Sequence, residues 1–469
     1  MIDGKGLNLS RRDLLKSVAL TGAGMGLEGV SDCQPLTSAP LAAPEPSTPA
    51  AEVSYEPMIG VPFSRLETVR VGIVGIGSRG AGLLQDLLRI DHVQVIALCD
   101  IVKEKTERGR VLAEGAAQKT PAIYVKDERD FENLCGRDDV DLVYVATPWE
   151  WHAPMALSAL NNGKHVAIEV PGVKTLPECW QIVEASEKNR RHCVMLENCC
   201  YGENEMLVLS MVRAGLFGDI EHAEAAYNHD ARSLLMSERG LWRRAECIQR
   251  DGNLYPTHGL GPVARYMGIN RGDRFDYLVS LSSVAKGLNL FRAEHVPQGD
   301  PRWSESYKCG DVNTSLIKTV RGCTIMLQYS ICSPRPYDRI NLVSGTKGIF
   351  RDYPPRFFFD GMEDAQHQPA WDESIDKYKE QYSHPLWIQQ REQARKQGGH
   401  GGGMDHIMND RLIQCIRQGM VPDIDVYDTA SWAAPGPLSE LSVAQGSAPV
   451  KFPDFTRGRW QEPRRETYG

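Results

Sequence analysis

Val69–Gly80 reads VRVGIVGIGSRG, and this stretch decides the fold. Val69, Val71, Ile73 and Val74 make a short β-branched run, the pattern of a strand buried on both faces of a parallel sheet. Gly75, Gly77 and Gly80 then spell G-x-G-x-x-G, and Ala81–Arg89 (AGLLQDLLR) switches to helical spacing. A strand feeding a glycine turn that opens a helix is the context the dinucleotide fingerprint needs. The first Gly permits the tight turn, the second lets the backbone approach a pyrophosphate, and the third lets helix and strand pack closely. The pyrophosphate sits on unpaired N–H groups at the positive end of the helix. A second apolar run, Val93–Leu98, ends at Cys99-Asp100, and Asp100 lies 20 residues after Gly80. An acidic side chain there accepts hydrogen bonds from an adenine ribose diol and repels a 2′-phosphate, so NAD is expected rather than NADP. The competing reading is a glycine turn of another α/β protein with a coincidental acid.

Around this centre the chain is too long, at 469 residues, for one ordinary core. Hydrophobic content of 42% and charged content of 24% are those of a globular protein. A formal net charge of −8 argues against a nucleic-acid binder, which carries a basic excess. The 12 cysteines show no C-x-x-C pair and no zinc spacing, so buried thiols are expected, and no metal. Ser10-Arg11-Arg12-Asp13-Leu14-Leu15-Lys16 looks like a twin-arginine export signal, followed by the short, weakly apolar Ser17–Gly26. Cys33 offers a lipidation site, although Asp32 stands where a small residue belongs before a lipidated Cys. The expected divisions are a signal peptide over 1–33, a Pro/Ala/Ser-rich linker over 34–60, a Rossmann domain over 61–200 and a second α/β domain over 201–469. The second domain is expected to hold the substrate.

Along the first domain, Val140–Ala146 is a further buried strand, and Thr147-Pro148-Trp149-Glu150-Trp151-His152 follows it on the ligand edge of the sheet. Trp151 by itself reads most simply as packing. His165–Glu169 is the next strand, capped by Glu169-Val170-Pro171-Gly172. A helix over Leu176–Asn189 and a strand over Cys193–Glu197 then deliver Asn198-Cys199-Cys200-Tyr201. In the second domain, strands are expected at Ile220–Tyr227, Phe275–Ser283, Asn313–Val320, Thr324–Ser330, Arg339–Gly345 and Gly348–Arg351. Between the early strands, Leu241–His258 carries Trp242-Arg243 and Tyr255-Pro256-Thr257-His258 on loops, with His258 at the start of an apolar helix over Leu260–Met267. His400, in the glycine-rich Gly398–Met404, has no partner cluster. The segment from Phe452 to Gly469 is expected to be a surface tail with a few anchoring aromatics.

The order GIGSRG, ATPWEWH, a strand ending in E-x-P, then ENCCY resembles the glucose–fructose oxidoreductase/inositol dehydrogenase family. That family joins a Rossmann domain to a C-terminal α/β domain with a large open, mostly antiparallel sheet. Its dehydrogenases carry a Lys where Val170 stands here, and an Asp four residues before a catalytic His, where Leu254 precedes His258. The match is closer to one branch, glycoside hydrolase family 109, the NAD-dependent α-N-acetylgalactosaminidases. It is carried in order by PWEWH (Pro148–His152), EVPG (Glu169–Gly172), ENCCY (Glu197–Tyr201), YNHD (Tyr227–Asp230), LYPTHGLGP (Leu254–Pro262), INRGDR (Ile269–Arg274), GHGGGMD (Gly399–Asp405) and DVYD (Asp425–Asp428).

The resemblance implies that NAD is held by Ser78 and Arg79 beside the three glycines, Asp100, Trp149, Glu150, Trp151, His152, Glu169, Val170 and Asn198. It implies a sugar site of Tyr227, Arg243, Tyr255, Pro256, Thr257, His258 and Tyr337, with Arg244 competing for the role of Arg243. Such a hydrolase works by hydride transfer from the sugar's C3, loss of the C2 proton, elimination at C1, addition of water and return of the hydride, an exception to two-carboxylate hydrolysis. His258 is the candidate base at the C3 hydroxyl and Tyr201 the candidate near C2. The resemblance also implies pairing of two copies through the open sheet. Two other readings are an exported sugar or cyclitol oxidoreductase, disfavoured by Val170 and Leu254, and a sugar-binding protein that keeps NAD structurally.

Overall fold

A computed structural model describes residues 55–116, 118–363, 368–397, 403–462 and 464. The signal-like stretch, Cys33, most of the 34–60 segment and His400 lie outside the described residues. The first sheet is built from β1 (Val69–Val74), β2 (Val93–Cys99), β3 (Ala122–Tyr124), β4 (Leu142–Val145), β5 (His165–Ile168) and β6 (Cys193–Met195). All pairs are parallel and the order is β3-β2-β1-β4-β5-β6, the dinucleotide-binding arrangement. β1 and β4 are almost wholly buried, which accounts for their unbroken apolar runs.

The register aligns Val74 with Cys99 and Val145, Val145 with Ile168, and Ile168 with Met195. Gly75, Asp100, Ala146 and Glu169 therefore emerge along one edge, with the crevice where β1 passes to β4. The sheet is covered by α1 (Ser78–Leu87), α2 (Lys103–Gly115), α3 (Phe131–Cys135), α4 (His152–Asn161) and α5 (Leu176–Asn189). α5 opens on a capping box in which Thr175 and Glu178 satisfy each other's backbone amides.

The second sheet has eight strands: β7 (Ile220–Asn228), β8 (Phe275–Ser282), β9 (Asn313–Thr319), β10 (Thr324–Ser330), β11 (Leu342–Gly345), β12 (Gly348–Arg351), β13 (Arg356–Phe359) and β14 (Val450–Lys451). Their order is β13-β12-β11-β7-β10-β9-β8-β14, and only β10 and β7 run parallel. Among the helices that come before the returning segment are α6 (Glu203–Arg213), α7 (Leu241–Gln249) and α8 (Thr257–Tyr266). α8 packs on β7. The opposite face of the sheet is bare in this single chain, with Leu281 56% and Leu316 55% exposed. Trp242 and Arg243, expected on a loop, lie in α7, while His258 stands at the start of a helix, as expected. β13 and β14 were not expected; each is short and has no alternation long enough to read.

The chain then returns to the first domain. α9 (Met404–Gln418) lies against α1, and α10 (Val426–Ala433) against α5 and β6, before α11 (Pro435–Ala444) packs on β8. Tyr144 Oη donates to Asn409 Oδ1 at 3.1 Å, and the Met195 amide donates to Thr429 Oγ1 at 3.1 Å. One sequence expectation fails here because its partner is distant. Met58, placed in the linker, is 1% exposed and its amide donates to Tyr427 Oη at 2.9 Å. The C-terminal tail is anchored by aromatics, as expected, burying Phe452, Phe455 and Trp460, and it also pairs Arg457 with Glu187 at 2.8 Å and Arg464 with Asp425 at 2.6 Å. The described cysteines are free thiols, all buried except the half-buried Cys323.

Candidate active site

The glycine turn separates two kinds of necessity. Gly75 has φ +90°, and a Cβ there would lie 2.6 Å from the Ala146 carbonyl oxygen; a Cβ on Gly80 would lie 1.8 Å from the Gly75 oxygen. The chain itself forbids side chains at both. A Cβ on Gly77 meets nothing within 4 Å, so the space above it is open to a ligand. No side chain caps α1, whose first amides face that space with the positive end of the helix. Asp100 is fixed by the amides of Ile76 at 2.8 Å and Val102 at 2.9 Å, and each carboxylate oxygen keeps capacity for a ribose hydroxyl. These features fit a dinucleotide.

Ser78 Oγ accepts from Arg239 Nη2 at 2.8 Å. Arg79 is held on both sides: Nε donates to Glu169 Oε1 at 2.7 Å, and the terminal nitrogens donate to the two oxygens of Asp405 at 2.6 and 2.8 Å. Asn198 Nδ2 reaches the same Asp405 at 2.8 Å. Burial pushes the Glu169 carboxyl up, against the pull of Arg79, and burial with the nearby Asp405 charge raises Asp86 to about 6. The structure thus brings Arg79, Glu169 and Asn198 together around Asp405, whose role the sequence reading missed. Val170 is buried beside them.

The WEWH turn divides in a similar way. Trp149 is buried and stacks on Tyr255, centroids 5.5 Å apart, on the second domain's side. Glu150 is exposed. Trp151 packs edge-on to Phe131 at 6.3 Å, as packing alone would have it. His152 is buried with its ring nitrogens 2.7 Å from the Gly172 oxygen and 3.0 Å from the Thr147 oxygen. Burial pulls it down to about 4. Trp151 and His152, expected at the cofactor, therefore serve to hold the turn that presents Trp149.

Facing this turn, His258 stands in the first turn of α8, with Pro256 as its N-cap. Its Nδ1 lies 2.7 Å from Glu197 Oε1, on a carboxylate with no exposed surface. An ionised Glu197 can only accept, so Nδ1 carries the proton and Nε2 keeps its lone pair. Tyr255 Oη is 3.4 Å from that Nε2. Burial would raise Glu197, but His258, Thr257 and the Cys199 amide outweigh it and hold the carboxyl below its usual 4.5. Glu197 lay inside the quoted ENCCY motif, yet nothing in the spacing from 197 to 258 announces the pair.

Arg243 is enclosed by aromatic faces, its Cζ 5.4 Å from Trp149, 5.0 Å from Trp242 and 5.1 Å from Tyr255. It also donates to Tyr227. Tyr227 in turn packs on Tyr255 at 4.6 Å, His258 at 5.5 Å and Tyr337 at 6.0 Å, and Tyr337 is 40% exposed at the mouth. Arg244 points elsewhere, to Glu305 at 3.1 Å and the Leu235 carbonyl at 2.8 Å, which decides between the two arginines.

Tyr201 is a correction. It is 4% exposed, and its hydroxyl lies 3.3 Å from Asp423 Oδ2, which Arg411 also holds at 2.9 Å. It lines an interior gap with Met195, Met408 and Ile424. Glu197, Cys199 and His258 also set one ligand atom each within 4.8 Å of one another, a composition that could take a cation. Arg339 Nη1, 2.9 Å from Cys199 Sγ, sets a fixed positive charge against it.

Residues 69–197 match the model of the oxidoreductase family with an NAD-binding Rossmann fold, and residues 201–462 match the glycosyl hydrolase 109 C-terminal domain. A glycosyl hydrolase family 109 protein of Solibacter usitatus is 54% identical over 456 residues, covering 96% of this chain and 98% of its own. One from Streptomyces filamentosus is 49% identical, covering 97% and 92%. Among solved structures, levoglucosan dehydrogenase with NADH and L-sorbose superposes with TM-score 0.62 at 17% identity, covering 83% of this chain and 100% of its own. An inositol dehydrogenase homologue from Azotobacter vinelandii with NAD+ gives 0.60 at 16%, covering 83% and 99%. Those two likenesses establish the shared fold. By the identity and coverage of its relatives, the chain belongs to glycosyl hydrolase family 109, as a glycoside hydrolase with an NAD-binding Rossmann domain.

Proposed function

We propose that this glycosidase removes terminal α-linked N-acetylgalactosamine from glycans. The observation that carries the reading is the Glu197–His258 pair, set beside Arg243 and three tyrosines and across from Trp149 on the Rossmann edge. When bound, NAD supplies a hydride acceptor and donor for the sugar's C3. Gly75, Gly77, Gly80, Ser78 and Asp100 would hold it, with Arg79, Glu169 and Asn198 behind the turn. His258 Nε2 takes the proton of the C3 hydroxyl, and Glu197 fixes the ring and stabilises its charged form, the role an orienting acid plays in other His-based sites. Arg243, Tyr227, Tyr255 and Tyr337 bind the sugar's hydroxyls and acetamido group. The hydroxyls of Tyr227 and Tyr255 stay protonated, because burial raises both above the usual phenol value, so they serve as donors.

The test is release of p-nitrophenol from its α-N-acetylgalactosaminide by purified protein with no NAD added, while absorbance of the reduced cofactor is followed. Release without net reduction supports the reading. No release, with steady reduction of added NAD by a free sugar, replaces it with an oxidoreductase. From Ser10–Gly26 we further propose export by the twin-arginine machinery to the periplasm or medium. The bare face around Leu281 and Leu316 supports pairing of two copies.

A further inference from the structure

Three cysteines that the chemistry above does not use meet beside the sugar cage. Cys247 lies on α7, Cys309 ahead of β9 and Cys332 just past β10, and each is 1% exposed. The Cys247 sulfur hydrogen-bonds with the thiols of both Cys309 and Cys332. The Cys309 amide also donates to the Cys247 carbonyl at 3.0 Å, and its sulfur lies 3.6 Å from the Gly310 carbonyl oxygen, so Cys309 is already committed on two sides. Cys332 leads into Ser333–Pro336 and so to Tyr337, while Cys247 stands one helical turn after Arg243 on the same face of α7. The cluster therefore joins the backbone supports of two sugar-site residues. It also lies close beneath the surface, since Lys308 and Pro334 are exposed. The two neighbouring thiols hold Cys247 well below the usual thiol value, and the Arg243 charge helps them against burial.

We propose that Cys247 and Cys332 are a peroxide-sensitive pair whose disulfide ties α7 to the Tyr337 turn and weakens the sugar site. The Cys247 sulfur attacks hydrogen peroxide: an S–O bond forms, the O–O bond breaks, and the departing hydroxide leaves as water with the Cys247 proton. The Cys332 sulfur then displaces the remaining hydroxide from Cys247, so that an S–S bond forms and a second water leaves with the Cys332 proton. Two thiols give up two electrons, and one peroxide becomes two waters. The bond draws the sulfurs from contact to about 2.05 Å, a shift that α7 and the turn must share. The effect on turnover rests on the sugar-site reading of Arg243 and Tyr337; formation of the bond does not.

The experiment treats the reduced full chain and its Cys332→Ser variant with hydrogen peroxide. Intact mass and peptide mapping, after free thiols are blocked in denaturant, read the bond. Turnover of p-nitrophenyl α-N-acetylgalactosaminide before and after treatment reads its effect. The wild type is expected to lose the mass of two hydrogens, to yield a peptide linking Cys247 to Cys332 and to fall about ten-fold in kcat/KM, all restored by dithiothreitol. Cys332→Ser is expected to keep its rate under the same treatment. Absence of a bridge in the wild type, or a bridge between other cysteines, overturns the proposal, and this reading needs no variant to fold. A Cys247–Cys332 bridge with unchanged kcat/KM, or an equal loss in Cys332→Ser, overturns the tie to the sugar site. Reduced protein that cleaves no glycoside overturns the sugar-site reading instead, and the mapped peptides still decide the bond.

Discussion

Glu197 and His258 come from opposite sides of the domain boundary and meet at 2.7 Å, Oε1 to Nδ1. Leu254 stands four residues before His258, and the carboxylate comes instead from Glu197, just past the end of β6. Glu197→Gln keeps the shape but can present its amide N–H to Nδ1, favouring the wrong tautomer. It is expected to lower kcat by about a hundred- to ten-thousand-fold while leaving NAD content unchanged. His258→Ala should do the same, and the double variant should be no worse than the single ones, since paired residues act as a unit. Additive losses in steady-state kinetics would show that the two do not work together.

Arg243 is a charge held among rings. Among the described residues no carboxylate pairs with it, and its neighbours are Trp149, Trp242, Tyr255 and Tyr227. Lysine carries the charge but cannot stack its planar group between faces or present a fork of donors. Arg243→Lys is expected to raise KM about ten-fold with a smaller change in kcat, and Arg244→Lys to leave both near wild type. A Lys variant with unaltered KM would remove Arg243 from sugar recognition.

The glycine turn, the Asp100 strand end and the ligand edge of the sheet were legible because they are local: each is set by residues within about thirty positions. Six of the eight strands of the second sheet were legible from alternation, as in Asn313–Thr319, where buried and open residues take turns. What stayed hidden depends on contacts between distant segments. Asp405 gains meaning only when α9 lies on α1, Glu197 only when α8 packs on the Asn198–Tyr201 turn, and Met58 only when Tyr427 covers it. Trp151 and His152 build the turn that presents Trp149, a task that the motif by itself does not separate from facing a ligand.

A pH prediction follows from the floor of the first sheet. His192 stacks on His165, centroids 5.5 Å apart, and packs at a tilt against Phe63 at 4.2 Å, and burial lowers His192 to about 4. Its unfolded value is near 6.5, so between pH 6.5 and 4 the unfolded chain binds the extra proton and the folded one does not. The stability contributed by neutral His192 is complete above 6.5 and is lost as pH falls, about 3 kcal/mol by pH 4. His192→Phe keeps a ring in the stack without a titrating group. Denaturant unfolding from pH 7 to 4 is expected to fall less steeply in this variant; an unchanged slope would assign the acid sensitivity to other groups.

Tyr201 supplies the test that separates the geometry from the motif. Its place in ENCCY, directly before the second domain, made it a candidate base, yet its hydroxyl lies on Asp423, in a wall shared with Arg411, Met408 and Ile424. The phenol donates its hydrogen bond to that carboxylate. Tyr201→Phe removes one hydrogen bond and no apolar volume. It is expected to lose about 1 kcal/mol of stability in denaturant unfolding and to keep turnover within about two-fold of wild type. A hundred-fold loss of turnover in a protein that still binds NAD and melts normally would return this hydroxyl to the chemistry. It would also mean that η-turn residues 198–201 move toward His258 when the site is filled.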